Sequence, residues 1–245
     1  MKNMKCILNV MLSLGLAVSL TACGSSAGSE SSQNAAETAV PDAAEITETS
    51  SPQPETPSGN PSAEEQNEEG SDILVVYFSR TGEQYTVGVI DHGNTAIVAE
   101  MIKEETGADL FEILPADDHY PMTYAELTDI AKKEQNENAR PEYAGEIPDL
   151  SQYSTIFIGS PVWWGDWPMI MYTFFEENAD ALAGNDLVPF NSNEGSGLAG
   201  FDRKLASKCP ESTILKGLAV RGNDCQNKQD SVRQAVSDWI AELGY

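Results

Sequence analysis

The chain has 245 residues, with 39 acidic side chains against 14 basic ones and a formal net charge of −25. That length allows one large domain or two small ones. A balance this acidic excludes a nucleic-acid-binding role, which needs a basic footprint, and His92 and His119 show no metal-ligand spacing with the cysteines.

Residues 1–22 read as a targeting segment. Lys2 and Lys5 form a basic start, and Ile7 to Leu20 is apolar but short for a membrane span. The segment ends in Leu20-Thr21-Ala22-Cys23, which resembles the bacterial lipobox. The resemblance implies cleavage before Cys23, diacylglyceryl attachment to its sulfur and an extracytoplasmic protein held to the membrane by acyl chains such as palmitate, of which stable anchoring needs two or more. An ordinary secretory signal with a chance cysteine is the alternative. Residues 23–71 then form a tether. From residue 24 onward it carries ten acids, no Lys or Arg and no aromatic residue. Such a segment buries too little apolar surface to offset its ordering entropy, so disorder is expected.

A single domain is expected over residues 72–245. With the ten tether acids and Lys2 and Lys5 set aside, it holds 29 of the 39 acids and 12 of the 14 bases, a net of −17. Ile73 to Phe78 is an apolar, β-rich run of the kind buried on both faces of a parallel sheet. It ends in Ser79-Arg80-Thr81-Gly82. After Glu83 to His92 comes Gly93-Asn94-Thr95, and a helix with Ile97, Val98, Met101 and Ile102 on one side. A strand, a hydroxyl-rich loop and a helix N-terminus make an anion site, because amide N–H groups and the helix dipole converge there. A capped helix without a ligand is the plainer reading.

Ala108 to Ile113 alternates like an edge strand, and Thr123 to Asn136 reads as a helix. Ser154 to Gly159 is a buried third strand, followed by the loop Ser160 to Pro168 and a helix from Met169 to Ala183. Asp186 to Phe190 is a fourth strand, with the loop Asn191 to Gly197 behind it. A short helix over Phe201 to Lys208, a fifth strand over Thr213 to Val220 and a helix over Asp230 to Leu243 complete the chain. Strands alternating with helices predict a doubly wound α/β fold with a five-stranded parallel sheet in the order 2-1-3-4-5, its ligand crevice at the carboxyl ends of strands one and three. Cys209 and Cys225 flank the fifth strand, whose length spans roughly 26 Å. A disulfide needs Cα atoms within roughly 7 Å, so no pairing is expected.

Three loops therefore carry the chemistry. The loop after strand three contains Pro161, Val162, Trp163, Trp164, Gly165 and Trp167. Three tryptophans in five residues are hard to bury, and each indole N–H needs a partner. A planar ligand would stack on one, with Trp163 the better candidate, while Trp164 or Trp167 pins the loop. The loop after strand four offers Asn193, Glu194, Gly195 and Ser196. No G-x-G-x-x-G follows strand one, no P-loop pattern occurs anywhere and no G-x-S-x-G sits as an elbow between a strand and a helix, which weakens Rossmann, NTPase and serine-hydrolase readings.

Residues 72–245 resemble the flavodoxins. Ser79, Thr81 and Gly82 match the first half of that family's phosphate loop, and Gly93, Thr95, Ala99 and Ile102 match the second. The chain departs from an ordinary flavodoxin by the insertion Glu83 to His92 and resembles a branch that carries one there. The resemblance implies FMN as cofactor, with the phosphate near Ser79, Arg80, Thr81, Gly82, Asn94 and Thr95, the ring against the Trp163 loop, and its pyrimidine edge near Asn193 to Ser196. It implies an electron carrier, its acidic surface suited to a basic redox partner, or an oxidoreductase taking a small-molecule acceptor such as a quinone, with NAD(P)H as a possible donor. Tyr85 and the insertion are then candidates to line the second-substrate face, and acidic Glu194 or Asp166 is expected to lower the flavin's potential. The alternative is a non-redox ligand- or partner-binding lipoprotein that kept the fold and lost FMN.

Overall fold

The structure, a computed structural model, describes residues 71–245. The expected signal peptide, the lipidated Cys23 and the tether lie outside the described residues.

The sheet is built on β1 (Ile73–Tyr77), whose five residues are all buried. Its parallel neighbours are β4 (Asp109–Glu112) and β7 (Thr155–Pro161). Beyond β7 lies β8 (Asp186–Asn193), and beyond β8 lie β9 (Thr213–Ile214) and β10 (Leu218–Arg221). Read from the β4 edge, the order is β4-β1-β7-β8-β10, the predicted 2-1-3-4-5.

Alternation along β1 divides the core. Ile73, Val75 and Tyr77 pack in a cluster with α1 (Asn94–Thr106) and α6 (Gln229–Leu243), while Leu74, Val76 and Phe78 pack in a cluster with α2 (Tyr124–Glu137), α3 (Met169–Asn178) and α4 (Phe201–Lys208). This is the period-two consequence of a strand covered on both faces. Cys225 lies in the first cluster and Cys209 in the second, so the sheet separates them, and both are free and buried. Burial pushes the Cys209 thiol up to about 11 and that of Cys225 up to about 12. Glu176 of α3 is tied by Arg140 (Nε, 2.6 Å) and Lys208 (Nζ, 2.7 Å), which hold its carboxyl down at about 2.

The structure differs from the sequence expectation in several places. The insertion is a β-hairpin of β2 (Gly82–Gln84) and β3 (Gly88–Ile90), anchored to the start of α2 by Glu83 N donating to the Met122 carbonyl (2.7 Å) and Tyr124 N donating to Glu83 Oε2 (2.8 Å). The fourth strand runs on to Asn193, because β10 pairs with residues 190–193. The fifth strand is broken into β9 and β10 beside Pro189, which has no N–H to give the ladder. The third helix stops at Asn178, whose amide Nδ2 donates to the Phe174 carbonyl (2.8 Å) and so competes with the backbone at the helix end. A two-stranded ribbon of β5 (Leu114–Pro115) and β6 (Tyr143–Ala144) and a short α5 (Gly222–Asn227) complete the fold.

Candidate functional site

The hairpin separates the two halves of the predicted anion loop in sequence, and the fold rejoins them. Ser79, just past β1, accepts from Ala96 N in the first turn of α1 at 3.1 Å. Gly93, which precedes that turn, comes so close that a Cβ there would lie 2.1 Å from Ser79 Oγ and 3.0 Å from the Arg80 carbonyl oxygen. Gly93 has no side chain to cap the helix, and Asn94 N and Thr95 N have no acceptor among the described residues. A helix start with free amides is the elementary anion-binding device.

Two hollows meet this turn. One, of about 300 Å³, is lined by Asn94, by Pro161 to Trp164 after β7, by Ser192 to Glu194 at the end of β8, by the hairpin and by α2. The other, of about 320 Å³, is lined by Ser79, Arg80, Thr81, Gly93 and Ala96, together with Tyr77, His92, Glu100, Glu112 and Leu114. Thus Asn94, Pro161, Val162, Trp163, Trp164, Asn193 and Glu194 share one hollow, and Ser79, Arg80 and Thr81 the other. Gly82 is buried at the base of the hairpin. Gly165, Gly195 and Ser196 are exposed and line neither.

Several side chains are already engaged. Thr95 is buried, and its hydroxyl shares a 2.8 Å hydrogen bond with Ser192 Oγ, while its amide N has no acceptor among the described residues. Arg80 Nη1 pairs with Asp118 Oδ1 at 2.8 Å and Nη2 donates to the Tyr120 carbonyl at 2.7 Å, whereas Arg80 Nε is buried without a partner. Asn193 Oδ1 accepts from Gly195 N (2.9 Å) and Gly197 N (3.2 Å), which shapes the turn after β8. Glu194 Oε1 accepts from Asn223 N at 2.7 Å, and its other oxygen pairs with Arg221 at 3.3 Å. Asp166 is occupied by Trp167 N, the Tyr172 hydroxyl and Lys204 and does not line the aromatic hollow. Its charge is paired locally with Lys204 at 3.0 Å. His92 pairs with Glu100 at 3.0 Å.

The three tryptophans have separate places. Trp167 is buried, stacked on Phe201 at 3.6 Å between centroids, and is the one that pins the loop. Trp163 lines the hollow and meets Phe78 and Tyr120 edge to face at 5.5 and 5.2 Å. Trp164 is 53% exposed, with Nε1 donating to the Thr128 carbonyl at 2.9 Å and Lys132 5.0 Å from its ring centre. It sits with Gly165 in a tight turn closed by Trp163 N and the Asp166 carbonyl, both central residues at positive φ (50° and 73°). For a residue with a Cβ that conformation costs of order 1–3 kcal/mol and collects at functional sites. Tyr85, stacked on Tyr124 at 5.5 Å, closes the far side.

Sequence reasoning named Tyr85 but missed the α2 wall, which includes Tyr124 and Thr128. A helix read for one apolar face gives no sign that its first turns border a ligand cleft.

The order of this sheet, with loops converging at the carboxyl ends of β1, β7 and β8, defines an open doubly wound α/β protein with its crevice at the switch point. The family model described as flavodoxin matches residues 72–242, and the chain belongs to the flavodoxin family. It is similar to a Bacteroides uniformis protein provisionally called a flavoprotein, 26% identical over 71% of this chain and 99% of that one, TM-score 0.55. A second such protein, from Bacteroides eggerthii, is 27% identical over 66% and 98%, TM-score 0.51. A Lactobacillus acidophilus flavoprotein solved in complex with FMN is 21% identical over 66% and 99%, TM-score 0.50, and shows the shared fold. No curated protein matches the sequence.

Proposed function

We propose that this chain binds FMN at the carboxyl end of its sheet and serves in electron transfer, as a carrier or as a reductase of a small planar acceptor. The observation that carries the reading is the rejoined anion loop beside an aromatic hollow: the free amides of Asn94 and Thr95 and the orphaned Arg80 Nε lie at the same helix start as the cleft lined by Trp163 and Trp164. These groups fit a phosphate joined to a planar ring. When bound, FMN supplies the redox chemistry. The protein's own part is to hold the phosphate with the amides and Arg80, and to enclose the ring between the Trp163–Trp164 loop and the hairpin. The exposed rings of Tyr85 and Trp164 at the mouth would meet a quinone or the apolar patch of a redox partner.

The purified full chain, as isolated or after incubation with FMN, is expected to show the two-band absorption of oxidised flavin and to release FMN on heating, identified by mass spectrometry. A chain that stays colourless with added FMN would sink the reading. It would favour a flavin-free binding protein on the same fold, which the engagement of Thr95 Oγ1 by Ser192 and of Arg80 by Asp118 already supports to that extent.

Placement outside the cytoplasmic membrane, through a lipid on Cys23, is the second part of the proposal and is supported by the Leu20-Thr21-Ala22-Cys23 pattern. Cells fed labelled palmitate should label the chain, and C23S should abolish the label. Equal labelling of the two chains would refute the anchor.

A further inference from the structure

The loop Asp117 to Tyr120, between β5 and α2, touches both halves of the candidate site. Asp118 holds Arg80, and the Tyr120 ring lies 5.5 Å from the Arg80 guanidinium carbon and 5.2 Å from the Trp163 ring. His119 fastens this loop to α2. Its Nε2 is 2.8 Å from Glu134 Oε1, and its Nδ1 is 2.8 Å from the Asp117 carbonyl oxygen. Both partners are acceptors. A neutral imidazole has one N–H and can satisfy one of them, whereas an imidazolium satisfies both. Glu134 is a carboxylate with its side chain only 9% exposed, and its second oxygen accepts from the Tyr120 hydroxyl at 3.1 Å. Burial pushes the Tyr120 phenol up, so that hydroxyl keeps its proton and remains a donor.

We propose that His119, as an imidazolium, is a positioning residue for the flavin site: through Glu134 and Tyr120 it fixes Trp163 and Arg80, so the grip on FMN weakens when His119 loses its proton. The inference rests on the FMN reading above. The groups that face His119 are Glu134 from α2, Asp117 from its own loop and the Tyr120 ring at 4.4 Å, with Arg80 and Asp118 beyond that ring. Burial alone would lower the His119 pKa, but its hydrogen bonds to Glu134 and the Asp117 carbonyl, and the charges of Glu134 and Asp117, outweigh burial and raise it above 6.5. A raised value in the folded state means that the contact is fully present below 6.5 and is lost as pH climbs through the raised value.

The test is the FMN dissociation constant of the full chain from pH 7 to 9, a range above the second pKa of a phosphate monoester, which lies near 6. Affinity should fall by about fivefold or more across that range, the lower end of ordinary site-to-site couplings. H119Q should be flat over the same range and sit at the weak end. Linkage is reciprocal, so adding FMN must raise the His119 titration midpoint by the same factor. Ring-proton NMR of the unmutated chain reads that directly, since the chain has two histidines and H92Q assigns them. FMN binding with the same affinity at pH 7 and pH 9, and an unmoved His119 midpoint, would overturn this inference alone. Absence of FMN binding at every pH would remove the cofactor reading and this inference together.

Discussion

Replacing Trp167 by alanine is expected to destabilise the fold by about 3–5 kcal/mol, the usual cost of truncating a buried large aromatic. Trp167 is 1% exposed, lies flat on Phe201 and edge-on to Phe175 at 5.2 Å, and donates from Nε1 to the Phe201 carbonyl at 3.3 Å. The substitution removes all three at once and leaves a void between the β7–α3 loop and α4. Thermal unfolding should fall by on the order of 10 °C for a domain of this size. Trp164→Ala, three positions earlier in the same loop, is the control. Its indole is half exposed, so its removal should leave stability nearly unchanged while altering the wall of the hollow. Equal losses in the two variants would mean that Trp167 is not the anchor of this loop.

The other large effect belongs to Gly159, in the middle of β7. A Cβ built there would lie 2.1 to 2.5 Å from three carbons of the Phe190 ring, on the neighbouring strand. Phe190 is fully buried and has no room to retreat. Gly159→Val gains strand propensity of up to about 1 kcal/mol, but forcing a branched side chain into that ring costs about 1–3 kcal/mol or more, so the clash wins. Chemical denaturation should show an earlier midpoint with an unchanged slope. Phe190→Leu should recover part of the loss in the double variant, because contacting residues couple. Additive effects would show that the ring and the glycine do not meet.

Much of this fold was legible before any coordinates. The apolar runs at Ile73 to Phe78 and Ser154 to Gly159 read correctly as doubly covered strands, because burial on both faces leaves no polar alternation. The strand order followed from alternation of element types and handed crossovers. At the carboxyl end of the sheet, Asn94, Trp163, Trp164, Asn193 and Glu194 line one hollow, whereas Gly165, Gly195 and Ser196 stay outside it. What hydropathy could not reveal is that Asn191, Ser192 and Asn193 continue β8 into the interior. They are polar, and they are buried only because the ladder with β10 and their own side-chain bonds satisfy them. Thr95 was read as a phosphate ligand from its place in the loop, yet the partner of its hydroxyl is Ser192, far along the chain. Arg80 has the same lesson: Asp118 and the Tyr120 carbonyl meet it through a loop that local pattern does not connect to it. Pairings of this kind are set by topology, and periodicity is blind to them.

The sheet also divides the molecule into two chemically addressable halves. Each layer contains one buried thiol, Cys225 on the side of α1 and α6 and Cys209 on the side of α3 and α4. Both thiols are raised by burial and stay protonated in the folded protein, so a thiolate-selective reagent reaches either one only when its own layer opens. Modification rates followed by peptide mass mapping would therefore clock the opening of the two layers independently. Because α1 supplies the anion loop and α2, in the layer of Cys209, walls the aromatic hollow, those two clocks separate loosening on the phosphate side from loosening on the ring side.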